Sequence, residues 1–185
     1  MAHDTDMSTD TMLPPEHAAD NPSLAAEAAE FDPDTGLEQR DTQKVAEALG
    51  RVLADSYQLF IKTQGVHWNL AGASFYGLHK LTEGQYEDLY EAIDEIAERI
   101  RALGHKAPAS YRTYGELSNI KDEDRPAETG ALVAQLVRDN GILCRTLRAG
   151  VEASEEANDV VTADMLTSRL AKHEQNVWML KMHIA

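Results

Sequence analysis

The segment from Gln64 to Leu103 places the strongest constraint on the fold, because most of it has the hydrophobic period of an α-helix. Apolar residues recur at steps of three and four over much of its length, and acidic residues occupy the opposite side. The apolar stripe consists of Leu78, Leu81, Leu89, Ile93, Ile96, Ile100 and Leu103. We therefore predict one long helix from about Phe75 to Leu103, ended by Gly104.

The polar face of this helix carries four potential metal ligands, which are His79, Glu83, Asp94 and Glu98. At 100° per residue they fall within a sector of about 100°, and the two members of each pair lie one turn apart. About 16 Å of helix rise separates Glu83 from Asp94. Because carboxylates and imidazoles hold a metal at about 2 Å, the two pairs cannot share one ion within a single helix.

The spacing of these ligands fits a symmetric pairing of two copies of the helix. His79 and Glu98 are equally far from the point between residues 88 and 89, and the same is true of Glu83 and Asp94. If two copies pack antiparallel about a two-fold axis at this point, each pair meets across the dimer. Self-complementary contacts of this kind are the usual arrangement of a homodimer. We predict two identical metal sites per dimer, each built from both chains.

A fifth ligand candidate precedes the helix. His67 and His79 each lie six residues from Ala73, within a loop marked by Asn69 and Gly72, so a helical hairpin brings the two imidazoles level. Taken alone, His67 at the end of an apolar stripe reads as a core histidine, and only this register makes it a ligand. Imidazoles and carboxylates without a thiolate suit iron or manganese better than structural zinc.

The stretch HWNLAGASFYGLHKLTEGQYEDLYEAIDEIAERIRALG resembles the signature of the Dps proteins, the mini-ferritins of starved or oxidatively stressed cells. The shared features are H-W-N, a His twelve residues on, a carboxylate four residues beyond it and the run D-E-I-A-E-R-I. A second match lies in DVVTADMLTSRLAKHEQNVWMLKMHIA. The resemblance implies an all-α, ferritin-like four-helix bundle, with a long crossover carrying a short extra helix, assembled as a hollow dodecamer with tetrahedral symmetry.

The same resemblance implies a function in iron storage and detoxification. The family oxidises Fe(II), commonly with hydrogen peroxide, at sites across two-fold interfaces and deposits ferric oxide inside the shell. Carried over, the ferroxidase ligands are His67, His79, Glu83, Asp94 and Glu98. Many members have Asp where this chain has Glu83, which leaves the second iron position less defined.

Further acidic residues gain candidate roles from the resemblance. Asp159 and Asp164 match positions that line a pore on the three-fold axis, where a ring of carboxylates would concentrate Fe(II). Glu87 and Glu91 are candidates for nucleating the mineral on the cavity wall. For all four, the plainer interpretation is a solvated surface carboxylate.

The remaining pattern predicts an acidic, flexible arm over residues 1–40 and the bundle over residues 41–185. Asp41 or Thr42 is predicted to cap the first helix. The predicted helices span about 42–68, 75–103, 126–154 and 162 onward, with a short one over 113–120 in the crossover. Residue type places Trp68 and Trp178 in the core rather than in a redox role, while the family resemblance implies that Trp68, beside the site, quenches oxidant radicals. His173 is expected to be a packed histidine.

Charge bears on the partners of this chain, which carries 32 acidic against 17 basic residues, a net charge of −15. Residues 1–40 hold ten acids, one base and no Lys. Such an arm cannot neutralise phosphates, so we predict that the DNA binding of some Dps proteins does not carry over. The acidity indicates either a halophile-like member kept soluble at high salt or ordinary acidic solubility.

Other functions remain open at this point. A DNA-compacting stress protein with incidental iron binding would retard plasmid DNA in a gel-shift assay at low salt. A purely structural bundle with a solvated acidic face would not oxidise Fe(II). A di-iron enzyme with its site inside one subunit would need Glu-x-x-His pairs, and none of the seven histidines has a Glu three residues before it.

Composition also indicates where the protein works. No apolar run approaches the roughly 20 residues that cross a bilayer, so we expect no membrane association. The N-terminus lacks a basic start followed by an apolar stretch, and we therefore expect a cytoplasmic protein. The single cysteine, Cys144, excludes an internal disulfide and is expected to be a small buried residue rather than a nucleophile.

Overall fold

A computed structural model describes residues 33–122 and 128–184 of the chain. These residues form five α-helices, which are α1 (Gln39–Asn69), α2 (Phe75–Ala102), α3 (Tyr111–Leu117), α4 (Thr129–Glu156) and α5 (Val160–Lys181). The predicted all-α class, with a short helix between the second and third long helices, is confirmed. The predicted acidic arm falls mostly in residues 1–32, outside the described ranges. Within those ranges, no helix is both long and apolar enough to cross a lipid bilayer.

The core lies between the four long helices and is built from their inward leucine and isoleucine side chains. The largest fully buried ones are Leu49, Leu53, Leu59, Leu78, Leu89, Ile96, Ile100, Leu103, Leu132, Leu136, Leu143 and Leu147. Along α1, α2 and α4 most of them are separated by three, four or seven residues, which places them on one face of each helix, as the hydrophobic pattern predicts. Each buried side chain of this size contributes about 1.5–3 kcal/mol of hydrophobic stabilisation.

The connection from α2 to α4 runs along α1 from its first turn to its end. At the start of the connection, Nε2 of His105 lies 3.0 Å from Oγ1 of Thr42. In the middle, the buried carboxylate of Asp55 binds the turn that follows α3. At the end, Oγ1 of Thr129 donates to the carbonyl oxygen of Ala71 (3.0 Å). The crossover therefore spans the length of the bundle, and α4 runs antiparallel to α1.

Two helices end at a residue in the left-handed region of the backbone. Gly104 follows α2 with a φ of 91°, as predicted, because glycine has no Cβ to oppose this conformation. Asn158 follows α4 with a φ of 56°, a value that asparagine tolerates better than most residues. The N–H of Asp159 then donates to the carbonyl oxygen of Ser154 (2.8 Å), which closes the turn into α5. This short turn sets α5 antiparallel to α4.

The predicted start of α1, at about residue 42, is three residues too late. The helix begins at Gln39, and neither Asp41 nor Thr42 caps it. Thr42 lies in the first turn, where its Oγ1 donates to the carbonyl oxygen of Gln39 (3.0 Å). The predicted start of the third long helix at Pro126 lies outside the described residues, and α4 is described from Thr129.

Capping explains why α3 and α5 begin earlier than predicted. Oγ of Ser110 accepts a hydrogen bond from the N–H of Thr113 (3.2 Å), so α3 begins at the residue after Ser110. Oδ1 of Asp159 accepts a hydrogen bond from the N–H of Thr162 (3.0 Å), so α5 begins at Val160. Both caps follow the usual preference for Ser and Asp at a helix start.

The two tryptophans were predicted in the core, and that prediction is wrong. Trp68 is 66% exposed and Trp178 is 60% exposed. The cause is helical geometry, because consecutive residues point about 100° apart and the inward position beside Trp68 belongs to His67. Likewise, Asn176 and Leu180 on α5 face the core of the bundle, so Trp178 between them points outward.

A layer of paired polar side chains crosses the middle of the bundle. Nζ of Lys62 lies 2.6 Å from the carboxylate of Asp139 and donates to the carbonyl oxygen of Lys121 (2.9 Å). Nδ1 of His173 donates to Oδ1 of Asn140 at 2.9 Å. His173 is 1% exposed, so the prediction of a packed histidine is confirmed. Buried polar groups of this kind require partners, and these have them.

Cys144 is buried on α4, as predicted. Burial raises the pKa of its thiol, and the nearby Glu174 carboxylate acts in the same direction. A thiol of this kind stays protonated at neutral pH, and it packs rather than reacts.

Candidate metal centre

The loop between α1 and α2 brings two histidine side chains into contact. The chain reverses between Asn69 and Phe75, with Gly72 at a φ of 91°. As a result, the ring centroids of His67 and His79 lie 3.8 Å apart, with 18° between the ring planes. The hairpin register predicted from the loop is confirmed. The role of the two imidazoles as metal ligands stays a prediction.

Each imidazole is held by the backbone of the other residue. Nδ1 of His67 lies 3.0 Å from the carbonyl oxygen of His79, and Nδ1 of His79 lies 3.2 Å from the carbonyl oxygen of His67. A carbonyl oxygen can only accept, so each Nδ1 carries the hydrogen and donates it. Nε2 is therefore the ring nitrogen that each histidine can offer to a metal. In metal-binding histidines, the ring nitrogen that does not face the metal usually donates to a carbonyl or carboxylate oxygen in this way.

Neighbouring side chains fix the orientation of both rings. Phe75 stacks on His79 with 5.0 Å between ring centroids, and Tyr86 packs edge-on against His67 at 5.2 Å. Oγ1 of Thr82, which is fully buried, lies 3.3 Å from Nδ1 of His67. The imidazole pair is thus oriented before any ligand arrives, which is what a tight metal site requires.

Glu83 lies one turn after His79, with its side chain 30% exposed. Nζ of Lys80 donates to Oε2 of Glu83 at 2.5 Å. This hydrogen bond lowers the pKa of the Glu83 carboxyl, partial desolvation opposes it, and the charge of Lys80 and the nearby imidazoles adds to the lowering. The carboxylate is therefore ionised at neutral pH, the form that binds a metal. Sequence reasoning did not identify Lys80.

Asp94 and Glu98 lie on the outer face of α2 and are exposed. About 16 Å of helix separates Asp94 from Glu83, so these two carboxylates are far from the imidazole pair of their own chain. In residues 33–122 and 128–184, no three His, Cys, Asp or Glu side chains of one chain are placed to hold a metal ion. The structure thus brings His67 and His79 together and leaves Glu83, one turn along α2, paired with Lys80. Asp94 and Glu98 lie toward the other end of the same helix.

An open groove of about 670 Å³ lies beside Asp94, between α1, α2 and α3. Its aromatic lining consists of Tyr57, Phe60, Tyr90 and Tyr114. Tyr90 is 69% exposed, and the neighbouring Tyr111 is 80% exposed. Exposed apolar surfaces of this kind mark interaction sites. Sequence reasoning missed this surface, although Tyr86 and Tyr90, one turn apart on an otherwise acidic face, were a visible signal.

The other predicted acidic residues divide into two kinds. Asp159 is 2% exposed, and besides Thr162 its carboxylate binds Nη2 of Arg99 at 2.8 Å. Burial alone would raise the pKa of this carboxyl, but the hydrogen bonds from Thr162 and Arg99 outweigh it and lower the pKa. Asp164, Glu87 and Glu91 are exposed. Only these three keep their carboxylates turned to solvent.

Comparison with known proteins assigns the fold to a family. A model of the ferritin-like domain matches residues 46–185. A curated relative from Nostoc sp., an uncharacterized low temperature-induced protein, is 43% identical and covers 80% of this chain and 84% of its own length. A DNA protection during starvation protein from Porphyromonas gingivalis is 34% identical, over 80% of this chain and 94% of its own.

Solved structures agree with this assignment. A DPS protein from Vibrio cholerae O1, described as a member of a broad superfamily of ferritin-like diiron-carboxylate proteins, superposes with a TM-score of 0.79 at 31% identity, covering 86% of this chain and 100% of its own. An archaeal Dps homologue from Halobacterium salinarum superposes with a TM-score of 0.81 at 26% identity, covering 92% of this chain and 93% of its own. The predicted four-helix bundle with its crossover helix is therefore a ferritin-like fold, and this chain belongs to the Dps family of ferritin-like proteins.

Proposed function

We propose that this protein is a ferroxidase that captures Fe(II), oxidises it with hydrogen peroxide and stores the ferric product inside a dodecameric shell. The observation that carries the proposal is the imidazole pair of His67 and His79. Reciprocal hydrogen bonds at Nδ1 leave each Nε2 for a metal, and Glu83, one turn after His79 on α2, supplies an ionised carboxylate. Imidazole and carboxylate ligands together suit iron.

A second copy of the chain would complete the site. With a two-fold axis between residues 88 and 89, the imidazole pair and Glu83 of one subunit face Asp94 and Glu98 of the partner subunit. Single chains present these two halves at opposite ends of the outer face of α2, as such a dimer requires. The proposed site therefore has two imidazoles and three carboxylates.

The aromatic groove beside α2 supports the same two-fold contact. Tyr90 lies next to the proposed axis, so the Tyr90 rings of the two copies would be close to each other. On the single chain, Tyr90 is 69% exposed and the groove opens to solvent. Covering this apolar surface with the partner would release water and stabilise the dimer.

The chemistry needs two ferrous ions for each peroxide. Hydrogen peroxide accepts one electron from each of two Fe(II), its O–O bond breaks, and it leaves as two hydroxide ions. A single ferrous ion can supply only one of those electrons, which releases a hydroxyl radical. Three carboxylates around the site offset the positive charge that grows as iron passes from Fe(II) to Fe(III). Glu83 has a longer side chain than Asp and would still reach a metal held by the imidazoles.

The interior of the bundle supports a site between subunits rather than within one. In ferritin-like bundles, facing helices can hold two metals in the core. Here the buried ammonium of Lys62 pairs with Asp139 in the middle of the bundle, where it would repel a ferrous ion. The buried positive charge of Lys62 is already balanced by the carboxylate of Asp139.

Relatives named for DNA protection favour a second role, protection of DNA. The net charge of −15 opposes a direct contact with phosphates, and the first 40 residues contain no Lys. Removing ferrous iron and peroxide protects DNA without touching it, so we propose indirect protection. The same acidic surface supports solubility at high salt, where its self-repulsion is screened.

Exposed carboxylates would guide iron into and through the shell. We assign Asp164 to the proposed three-fold pore, because its carboxylate faces solvent. Asp159 is less suited to this task, since its carboxylate is bound by Arg99 and Thr162. Glu87 and Glu91 remain the proposed nucleation residues.

Removing one ligand from each half of the site tests the proposal. We expect His67→Ala combined with Asp94→Ala to slow the appearance of ferric absorbance by about tenfold or more, after Fe(II) and peroxide are mixed with the protein. Glu152→Ala, which removes an exposed carboxylate from α4, is the matched control and should behave like the parent. Assembly measured by gel filtration should change little. A double variant that oxidises iron as fast as the parent would refute the site.

A further inference from the structure

Lys80 is a cation on an otherwise acidic helix face. Between Phe75 and Glu98 it is the one Lys or Arg among seven acidic residues. Its ammonium lies 2.5 Å from the carboxylate of Glu83, one of the proposed iron ligands. Its side chain is 54% exposed, so Lys80 contributes little to the core. Packing within the single chain therefore does not account for a lysine at this position.

The two-fold register places Lys80 inside the composite site. Residues 80 and 97 are equally far from the proposed axis. In the proposed dimer, Lys80 therefore lies beside the helical turn that carries the partner's Asp94 and the partner's Glu98. Without iron, this site holds three carboxylates and two imidazoles. Carboxylates brought together in this way repel each other, and a nearby ammonium reduces that repulsion.

We propose that Lys80 is the counter-ion of the iron-free site, holding Glu83 until Fe(II) displaces its ammonium. The inference rests on the proposed ferroxidase function and deepens it. A lysine suits this task, because its ammonium ends a flexible stem with rotatable donors and can swing into solvent. Exposed ion pairs of this kind are weak, so a divalent cation can replace one of them readily.

The proposal has two consequences of opposite sign. Because ammonium and metal compete for Glu83, removing the charge of Lys80 should strengthen metal binding. Because the ammonium also screens the carboxylates of the empty site, removing it should weaken the metal-free dimer. A lysine with only a structural role would not strengthen metal binding when it is lost. Stronger metal binding together with a weaker metal-free dimer would therefore identify Lys80 as the counter-ion.

Titration of Co(II) into the metal-free, full-length protein at low ionic strength tests the proposal. Lys80→Met removes the charge and keeps most of the side-chain length, whereas Lys80→Arg keeps the charge. Lys44→Met, at an exposed lysine on α1 outside the site, is the matched control. We expect Lys80→Met to bind Co(II) about two- to fivefold more tightly than the parent. Lys44→Met should match the parent, Lys80→Arg should lie closer to the parent than Lys80→Met does, and added salt should reduce the difference between Lys80→Met and the parent.

The metal-free assembly provides the second measurement. We expect the Lys80→Met assembly to dissociate at a lower urea concentration than the parent, and Co(II) to remove the difference. Co(II) binding by Lys80→Met that is equal to or weaker than that of the parent would overturn the counter-ion role, while ferric formation by the parent would still stand. A parent that neither binds Co(II) nor oxidises Fe(II) would overturn the function and the inference together.

Discussion

The role of each histidine in this chain depends on what its two ring nitrogens contact. In His67 and His79 the backbone contacts only Nδ1, which leaves Nε2 for the proposed metal. In His173 both nitrogens have partners, because Nδ1 donates to Asn140 and Nε2 lies 3.4 Å from Nη2 of Arg169. Residue spacing predicts that the first two rings meet. Spacing cannot predict the hydrogen bonds, since they depend on backbone atoms twelve residues away.

Burial of His173 should make the protein sensitive to acid. Burial lowers the pKa of His173 to about 3, and the charges of Arg169 and Lys172 add to this effect while Asp88 opposes it. An unfolded histidine, with a pKa of about 6.5, binds a proton that the folded state excludes. Between those two values the unfolded state binds more protons, so stability falls as pH falls, by up to about 1.4 kcal/mol per pH unit per subunit.

A pH series of urea unfolding on metal-free protein measures this effect. We expect His173→Gln, which keeps a donor for Asn140, to lose stability less steeply than the parent between pH 6 and pH 4. His183→Gln removes an exposed histidine and is the matched control, with a slope like that of the parent. Equal slopes for His173→Gln and the parent would show that His173 is not the group responsible.

At the scale of elements, the path of the crossover depends on one buried carboxylate. Asp55 on α1 is fully buried, and its Oδ1 accepts from Oγ of Ser118 and from the N–H of Asn119, both at 2.7 Å. Its Oδ2 accepts from Oγ1 of Thr146 on α4 at 2.6 Å. Sequence length and composition predict a long crossover with a short helix. They do not predict its path, because the partners of Asp55 lie more than sixty residues away in the chain.

Substitutions at Asp55 should separate the loss of charge from the loss of acceptors. Asp55→Leu leaves several buried donors without partners, and we expect it to lower stability by about 3 kcal/mol or more. Asp55→Asn keeps an acceptor for Ser118 and Asn119 and should lose clearly less. Thermal unfolding at neutral pH compares the two variants. Similar melting temperatures for Asp55→Leu and the parent would contradict this anchoring role.

At the scale of the whole molecule, exposed apolar residues indicate surfaces that a single chain leaves uncovered. Trp68, Trp178 and Tyr90 are each at least 60% exposed. The hydrophobic pattern correctly predicts which residues face the core of the bundle, because the period of a helix is local. It predicts the wrong place for the tryptophans, since residue type alone does not separate a core position from a surface that awaits a partner.

Asp159 shows a similar limit of sequence reasoning at this scale. An acidic loop between two helices predicts a surface carboxylate, and the family resemblance adds a pore. The structure uses this carboxylate to cap α5 and to bind Arg99 on α2, so it joins two helices of one chain. Composition gives the number of acidic residues, but it does not show which of their carboxylates form hydrogen bonds within the chain.

The proposed function requires that each iron site be completed by a second subunit. Complementation between two inactive variants tests this claim directly. One variant carries His67→Ala and His79→Ala, and the other carries Asp94→Ala and Glu98→Ala. Each should be inactive alone. An equal mixture, unfolded and refolded together, should form mixed dimers in which one of the two sites has all its ligands. With random pairing, about a quarter of all sites are then intact.

The measurement is the initial rate of ferric absorbance after Fe(II) and peroxide are added to the refolded mixture. The account predicts about a quarter of the rate of the parent protein treated in the same way. A mixture no more active than either variant alone would contradict it, because a site built from one chain is defective in every subunit.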